Sequence, residues 1–374
     1  MRNILVIEDS SKATFGGGQK VTLNTMAALR ESYEFVLFDT RCNSEFARKA
    51  RSYIRKFVKI HTFGTIKQSE RSSFSLSILE VFISPVLAIL NAIIVSGFVL
   101  SSKLSRKNSI IYATTKKGLM VAYIIKRLFN IEYIYHAHSI DDRDSLYYRV
   151  IAKPLNNANS IICVSDAVNK NIFLESCVTI YNSIAIEQAD YYETTVQNKL
   201  KNPIVSSISS LLKLKGLEYF MQSYDFVDNP DVVYKIWGEG KYRKELEQFA
   251  SKRVWLCGFS SRVEEELRDN ITILVCPSVA EEACPMNIIE AIRCGVPVIT
   301  TNIGGQSELV IDGVTGFHVP VKDPKSIAER INYLLQNSEE YVRMVKNCFD
   351  YAPVFSFERY RSEIRDVFSD AFGV

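Results

Sequence analysis

Residues 281–300 read EEACPMNIIEAIRCGVPVIT, and seven residues separate Glu282 from Glu290. Pro285 suits the first turn of a helix, where its missing N–H costs nothing. Ile288, Ile289 and Ile292 give residues 286–294 a helical apolar pattern, and Gly295 supplies the stop. Glu282 then lies in the loop before the helix and Glu290 in its second turn. The free backbone N–H groups of Met286 and Asn287 lie between them. A helix N-terminus favours a phosphate by up to about 2 kcal/mol. Carboxylates repel phosphate but accept hydrogen bonds from hydroxyls. A ligand with phosphate in its middle and hydroxyls at both ends is a nucleotide sugar. Taken alone, the pair fits equally well two glutamates on a solvated surface.

Such a helix needs a scaffold, and the chain supplies strand-like runs with helical patterns between them. ILVIE (4–8), YEFVLF (33–38), SIIYAT (109–114), EYIYHA (132–137) and SIICVS (160–165) form one series. PIVSSIS (203–209), VVYKIW (232–237), RVWLC (253–257), TILVCPS (272–278) and VPVITT (296–301) form a second. Alternation of strand and helix implies parallel α/β sheets. A length of 374 residues suits two domains. The polar stretch 182–203 reads as the linker between two doubly wound domains, with a ligand cleft expected where they face each other.

The charge is uneven. Residues 41–130 carry 16 Lys or Arg against Glu45, Glu70 and Glu80, a local charge of +13 in a chain of net +3. This is either a solvated basic face or a surface for an anionic partner such as a membrane leaflet or a phosphorylated acceptor. No nucleic-acid-binding motif accompanies it, and no nucleic-acid partner is expected. Within it, VFISPVLAILNAIIVSGFVL (81–100) has no charged residue. It fits a buried or amphipathic helix, a helix resting in the membrane interface, or a membrane span. The start, MRNILVIEDS, has too short an apolar run for a signal-peptide core. The eight cysteines are scattered without a CxxC pair, as expected of reduced thiols in a cytoplasmic protein.

The block EACPMNIIEAIRCGVPVITTNIGGQSELVIDGVTGFHVP resembles the carboxy-terminal signature of the family 4 glycosyltransferases, two-domain enzymes of GT-B fold. It has their E-x7-E pair, the GVPVI strand and the GGxxEL…DGxTGF tail. VYKIWGEGKYRKELEQFA, LCGF (256–259), LKGLEYF (214–220), SIICVSDAVNK (160–170) and TIYNSI (179–184) are also similar to segments of that family. The resemblance implies an acceptor domain over 1–190, a nucleotide-sugar domain over 191–354, and a last helix (355–374) that crosses back to the first domain. It implies Glu282 on the donor sugar, Glu290 on the ribose, and Lys215 on the diphosphate. Met286 and Asn287 would meet the phosphate through their N–H groups, and Gly258 and Phe259 would lie by the base. Gly16, Gly17 and Gly18 would let backbone approach donor and acceptor. His138 would face the reacting sugar. His136 and His138 make a His-x-His pair with no third ligand at a recognisable spacing, and no metal is expected. DRD (142–144) matches the D-x-D motif of a different glycosyltransferase fold and reads here as loop. Ser210 stands where many members carry a second phosphate-binding cation, with Lys213 as a substitute.

The implied reaction is transfer of a sugar from a nucleotide-diphosphate donor to an acceptor hydroxyl, with retention of configuration and no cofactor. The acceptor would be a sugar or a lipid-linked sugar of a bacterial surface glycan. An inactive sugar-nucleotide-binding protein and an epimerase of the same fold are the alternatives.

Overall fold

The computed structural model describes residues 2–9, 16–60, 74–184 and 193–373, of which 74–80, 193 and 194 are described as backbone. The chain divides into two compact units, Met1–Ser183 with Phe357–Val374, and Ile184–Ser356. The expected boundary at 190 lies outside the described residues, as does part of the expected linker.

Unit 1 is built on β1 (Arg2–Ile7), β2 (Tyr33–Asp39), β3 (Ile54–Lys59), β4 (Ser109–Ala113), β5 (Tyr133–Ala137), β6 (Ser160–Cys163) and β7 (Cys177–Thr179). All pairs are parallel, in the order β3-β2-β1-β4-β5-β6-β7. Helices on both faces explain why Ile4, Leu5 and Val6 are consecutive and all fully buried. The helix Lys116–Phe129 begins where the Thr115 hydroxyl accepts from Gly118 N at 3.1 Å. It ends at Asn130 in the left-handed region (φ 55°). The last helix, Phe357–Phe372, belongs to this unit and buries Tyr360, Ile364 and Phe368. It packs on the first helix, Gly17–Leu29, where Thr25 Oγ1 meets Tyr360 Oη at 2.7 Å.

The apolar stretch becomes the helix Phe74–Ser101, with Pro85 inside it. Its segment Val81–Ser101 is long and apolar enough to cross a membrane (mean hydropathy 2.3). One side packs on the helices Lys116–Phe129 and Leu146–Asn156 (buried Leu87, Ala88, Ala92, Val95, Val99), while other apolar side chains stay exposed.

Unit 2 holds β8 (Ile204–Ile208), β9 (Val233–Trp237), β10 (Val254–Gly258), β11 (Ile273–Cys276), β12 (Val298–Thr301) and β13 (Gly316–Val319). They are parallel in the order β10-β9-β8-β11-β12-β13. Val205, Tyr234, Ile236, Ile273 and Val275 lie in its core with Phe220, Ile331 and Tyr341 from the covering helices. Both units are therefore doubly wound α/β, the class read from the sequence. Strand order reverses between β1 and β4 in unit 1, and between β8 and β11 in unit 2. The carboxyl ends of those strands flank the crevice where such sheets bind ligands.

β3, β7 and β13 go beyond the strands read from sequence. β3 is an edge strand whose Ile54, Phe57 and Val58 are interrupted by Arg55, Lys56 and Lys59, so its apolar signal is diluted. β7 has only three residues, too few for a periodic pattern, and β13 has just two apolar side chains, Phe317 and Val319, separated by His318.

Candidate functional site

In unit 2 the loop after β8 makes a tight turn, Lys213–Lys215, closed by Gly216 at φ +61°. Val279 N donates to Leu214 O at 2.9 Å, tying this turn to the loop after β11. The result is a contact between residues far apart in sequence: Lys215 Nζ forms an ion pair with Glu282 Oε2. Ser278 Oγ donates to the other carboxylate oxygen, Oε1. The backbone of Glu282 is held as well, because its carbonyl accepts from Gly305 N at 2.8 Å. Lys215 and Glu282 are each less than one-fifth exposed. The pair is thus shielded enough to be oriented and open enough to be reached.

The helix Met286–Arg293 starts four residues beyond Glu282. Pro285 is its extended N-cap (φ −70°, ψ 122°) rather than part of its first turn, one residue earlier than its role in the sequence reading. Met286 and Asn287 are therefore the first helical residues, and their N–H groups have no intrahelical acceptor. The Asn287 side chain is turned back into the fold, donating to Ile208 O at 2.7 Å. It anchors the helix start to the end of β8, so only its backbone is available to a ligand. Glu290 is half-buried in the second turn. Arg293 is buried in the last turn and donates to Ile184 O at 2.5 Å.

Gly258 ends β10 at φ +78°, its carbonyl accepting from Gly238 N at 2.8 Å. Phe259, next to it, is an exposed aromatic. Ser210 and Lys213 are both exposed on the loop after β8. Ser278 and Gly305 are site residues that the sequence reading missed. Ser278 follows β11 after Pro277, and Gly305 lies in the GGxxEL tail, so the recognised motif held the second signal without its meaning.

In unit 1, Gly16 caps the helix Gly17–Leu29 and Gly17 and Gly18 form its first turn. They are helical, with no positive φ among them. A Cβ on Gly18 would lie 3.7 Å from the His138 ring, so the glycine start and the end of β5 are neighbours. His138 stacks on His136 with centroids 4.3 Å apart. Burial holds His138 down at about 4, and the ring is neutral at pH 7. His136 Nδ1 lies 2.6 Å from Tyr112 Oη, and Thr25 Oγ1 joins Tyr112 to Tyr360. The stack beneath His138 is thereby fixed by a buried hydrogen-bond chain reaching the last helix. Asp142 and Asp144 shape the turn before the helix Leu146–Asn156, with Asp144 N donating to Asp142 Oδ1 at 3.0 Å.

Beside these, Glu8 directly follows β1 and is buried. It accepts from Thr22 Oγ1 (3.2 Å), Thr114 Oγ1 (2.7 Å) and Asp9 N (3.0 Å). Burial outweighs these bonds and raises its pKa from 4.5 to about 7. The carboxyl therefore stabilises the fold fully below pH 4.5, and that stability is lost as pH rises through 7. The interval corresponds to about 3 kcal/mol. Glu8→Gln is expected to remove this loss, so that the variant gains on the wild type between pH 5 and 8 in pH-dependent thermal unfolding. His138 acts in the opposite sense between 6.5 and 4, but in both proteins, and drops out of the comparison. Parallel curves would disprove the assignment.

Two doubly wound units, one with a Lys–Glu pair and a helix start at its switch point, make up the two-domain architecture of the GT-B fold. Residues 193–350 match the family described as glycosyl transferases group 1. The chain is 26% identical over 262 residues to an uncharacterized glycosyltransferase of Methanocaldococcus jannaschii, covering 67% of this chain and 72% of that one. It is 25% identical over 236 residues to N,N'-diacetylbacillosaminyl-diphospho-undecaprenol alpha-1,3-N-acetylgalactosaminyltransferase of Campylobacter jejuni, covering 62% and 60%. Its fold matches that of Anabaena HepE in complex with UDP-glucose (TM-score 0.75, 21% identity, 99% and 100% covered).

Proposed function

We propose that the protein transfers a sugar from a nucleotide-diphosphate donor to an acceptor hydroxyl, with retention of anomeric configuration. The observation that carries this reading is the meeting of Lys215, Ser278 and Glu282 at the switch point of unit 2, beside the start of the helix Met286–Arg293. A donor diphosphate reaching Lys215 would draw its ammonium away and leave Glu282 to accept hydroxyls of the sugar. The N–H groups of Met286 and Asn287 would take phosphate oxygens, and Glu290 the ribose hydroxyls. Phe259 and the backbone at Gly258 would sit by the base. No conventional nucleophile is assigned, and the leaving phosphate would help to deprotonate the acceptor. Lys215 and the helix start stabilise the charge that grows on that phosphate. His138, neutral and fixed from below, would hydrogen-bond the reacting sugar, and Gly16–Gly18 would admit acceptor or donor close to the backbone. Transfer is proposed to need no metal and no cofactor.

The name of the Campylobacter relative describes an acceptor that is a lipid-diphosphate-linked sugar. HepE is seen with UDP and glucose and with UDP-glucose. These support a nucleotide sugar as donor and a lipid-linked sugar of a bacterial surface glycan as acceptor. A cytoplasmic protein held at an anionic membrane by the basic region 41–130 would meet such an acceptor.

Thermal-shift screening against nucleoside diphosphates and their sugars, followed by product analysis with labelled donor, tests the reading. Donor binding without turnover across a broad acceptor panel would instead mark a sugar-nucleotide-binding protein, the reading that Ser210 favours. Glu290→Ala is expected to raise the donor Kd about 10–100-fold, the loss of one or two hydroxyl–carboxylate bonds. Isothermal titration with the nucleoside diphosphate measures it, and an unchanged Kd removes Glu290 from the site.

A further inference from the structure

The helix Phe74–Ser101 carries an apolar stripe that the described residues leave uncovered. Phe82, Val86, Ile89, Ile93 and Leu100 recur at helical spacings, which puts them on one side. Phe82 and Leu100 are 67% exposed and Ile93 63%. Gly97 continues the stripe with open space above it. From Phe82 to Leu100 it runs about 27 Å. The opposite side is committed to the unit, burying Leu87, Val95 and Val99 together with the polar Ser84 and Asn91. A helix so engaged cannot cross a bilayer without leaving its own core.

The stripe ends among cations. Lys103, Arg106 and Lys107 are exposed in the turn after the helix. Lys56 Nζ lies 4.9 Å from the centre of the Phe98 ring. Of the seven Lys and Arg in residues 81–131, Lys116, Lys117 and Lys126 are paired with Asp141, Asp9 and Glu132, whereas Lys103, Arg106 and Lys107 at the end of the stripe are exposed and that segment carries no Asp or Glu. A second copy of this surface would bring the same cations and no acid to meet them. An anionic lipid surface supplies both an apolar layer for the stripe and phosphates for the cations.

We infer that this side of the helix Phe74–Ser101 lies in the plane of an anionic bilayer, with its apolar side chains at the acyl boundary and Lys103, Arg106 and Lys107 at the phosphates. The buried side of the same helix contributes Leu87, Ala88 and Asn91 to a small cavity shared with Glu8, Asp9 and Lys117, at the carboxyl ends of β1 and β4. Docking would therefore set the unit 1 crevice next to the lipid. The purpose of docking rests on the proposed lipid-linked acceptor. The surface itself rests on the stripe and its charges.

Sedimentation of the full chain with vesicles of phosphatidylcholine, with and without about 30% phosphatidylglycerol, tests it. Wild-type protein should bind the anionic vesicles and retain part of that binding in about 0.5 M NaCl, where charges are screened beyond roughly 4 Å. Phe82→Ser with Ile93→Ser should weaken partitioning about 100-fold, while transfer to a water-soluble acceptor and the melting temperature stay unchanged. Replacing Lys103, Arg106 and Lys107 by Gln should abolish the preference for anionic vesicles. Alkaline carbonate should release the bound protein, and resistance to carbonate would mean a span and overturn the inference. If wild type binds but the double Ser variant binds equally well, the stripe is refuted and a purely electrostatic surface remains. If wild type binds no vesicle, both the stripe and the proposed membrane surface fall, whereas the glycosyl transfer reading stands or falls on product analysis. A double Ser variant that dissociates a dimer and keeps its vesicle binding would assign the stripe to self-association instead.

Discussion

Lys215→Ala is expected to lower kcat about 100- to 1000-fold, the range found when one preorganised donor to a developing oxyanion is removed. Lys215 is the cation that the fold fixes at the switch point of unit 2, through the Lys213–Lys215 turn and its ion pair with Glu282. On the proposed mechanism, removing it would take away positive charge where the leaving phosphate gains negative charge. It also leaves Glu282, sparsely exposed and still held by Ser278 and Gly305 N, as an unpaired carboxylate. That anion would repel the donor diphosphate, so KM should rise as well. Lys213 stands on the same turn but is exposed, and a solvated ammonium on a flexible stem is a poor substitute. Initial rates at saturating donor, with product analysed directly, provide the measurement. Wild-type kcat in the variant would remove Lys215 from the mechanism and leave the Lys215–Glu282 pair as a structural contact.

The second large effect is on stability. Gly216→Ala is expected to destabilise unit 2 by about 3 kcal/mol or more, with loss of donor binding. Gly216 sits at φ +61°, where an L-residue costs about 1–2 kcal/mol. A Cβ there would also lie 2.1 Å from Pro277 O, a backbone atom of the loop that carries Ser278 and Glu282. Neither loop can yield without moving the other, so Lys215 and Glu282 would be displaced together. Gly313 provides the control, with φ +71° and nothing within 4 Å of its would-be Cβ. Gly313→Ala should carry only the conformational cost of about 1–2 kcal/mol. Urea unfolding of both variants isolates the clash as their difference. Equal midpoints would mean that the two loops are free to separate.

The local structure of the carboxy-terminal block was legible in the sequence because its parts are local. Glu282, Pro285, the apolar spacing of Ile288, Ile289 and Ile292, and Gly295 lie within fourteen residues, and a helix start depends on little else. The strands of both sheets were legible for the same reason, except where a pattern was too short (β7), too poor in apolar residues (β13) or diluted by charge (β3). The partners of the site residues were not legible. Lys215 and Glu282 meet across 67 residues of chain, and Thr25 and Tyr360 across 335. Only the strand order β8-β11 and the return of the last helix bring them together. Glu8 reads as an ordinary acid near the start of the chain, and enclosure by Thr22 and Thr114 alone makes it a carboxyl poised near neutrality.

The stretch 81–100 divides the two kinds of information most clearly. Its composition fixed that it would be a helix seeking apolar surroundings on every side, and a helix apolar all round carries no moment to say which side faces inward. Packing against the neighbouring helices decided that, by burying the side of Leu87, Val95 and Val99 and leaving Phe82, Ile93 and Leu100 outside. Residue types set what each segment can do, and long-range contacts, whose partners no local pattern encodes, set what each one faces.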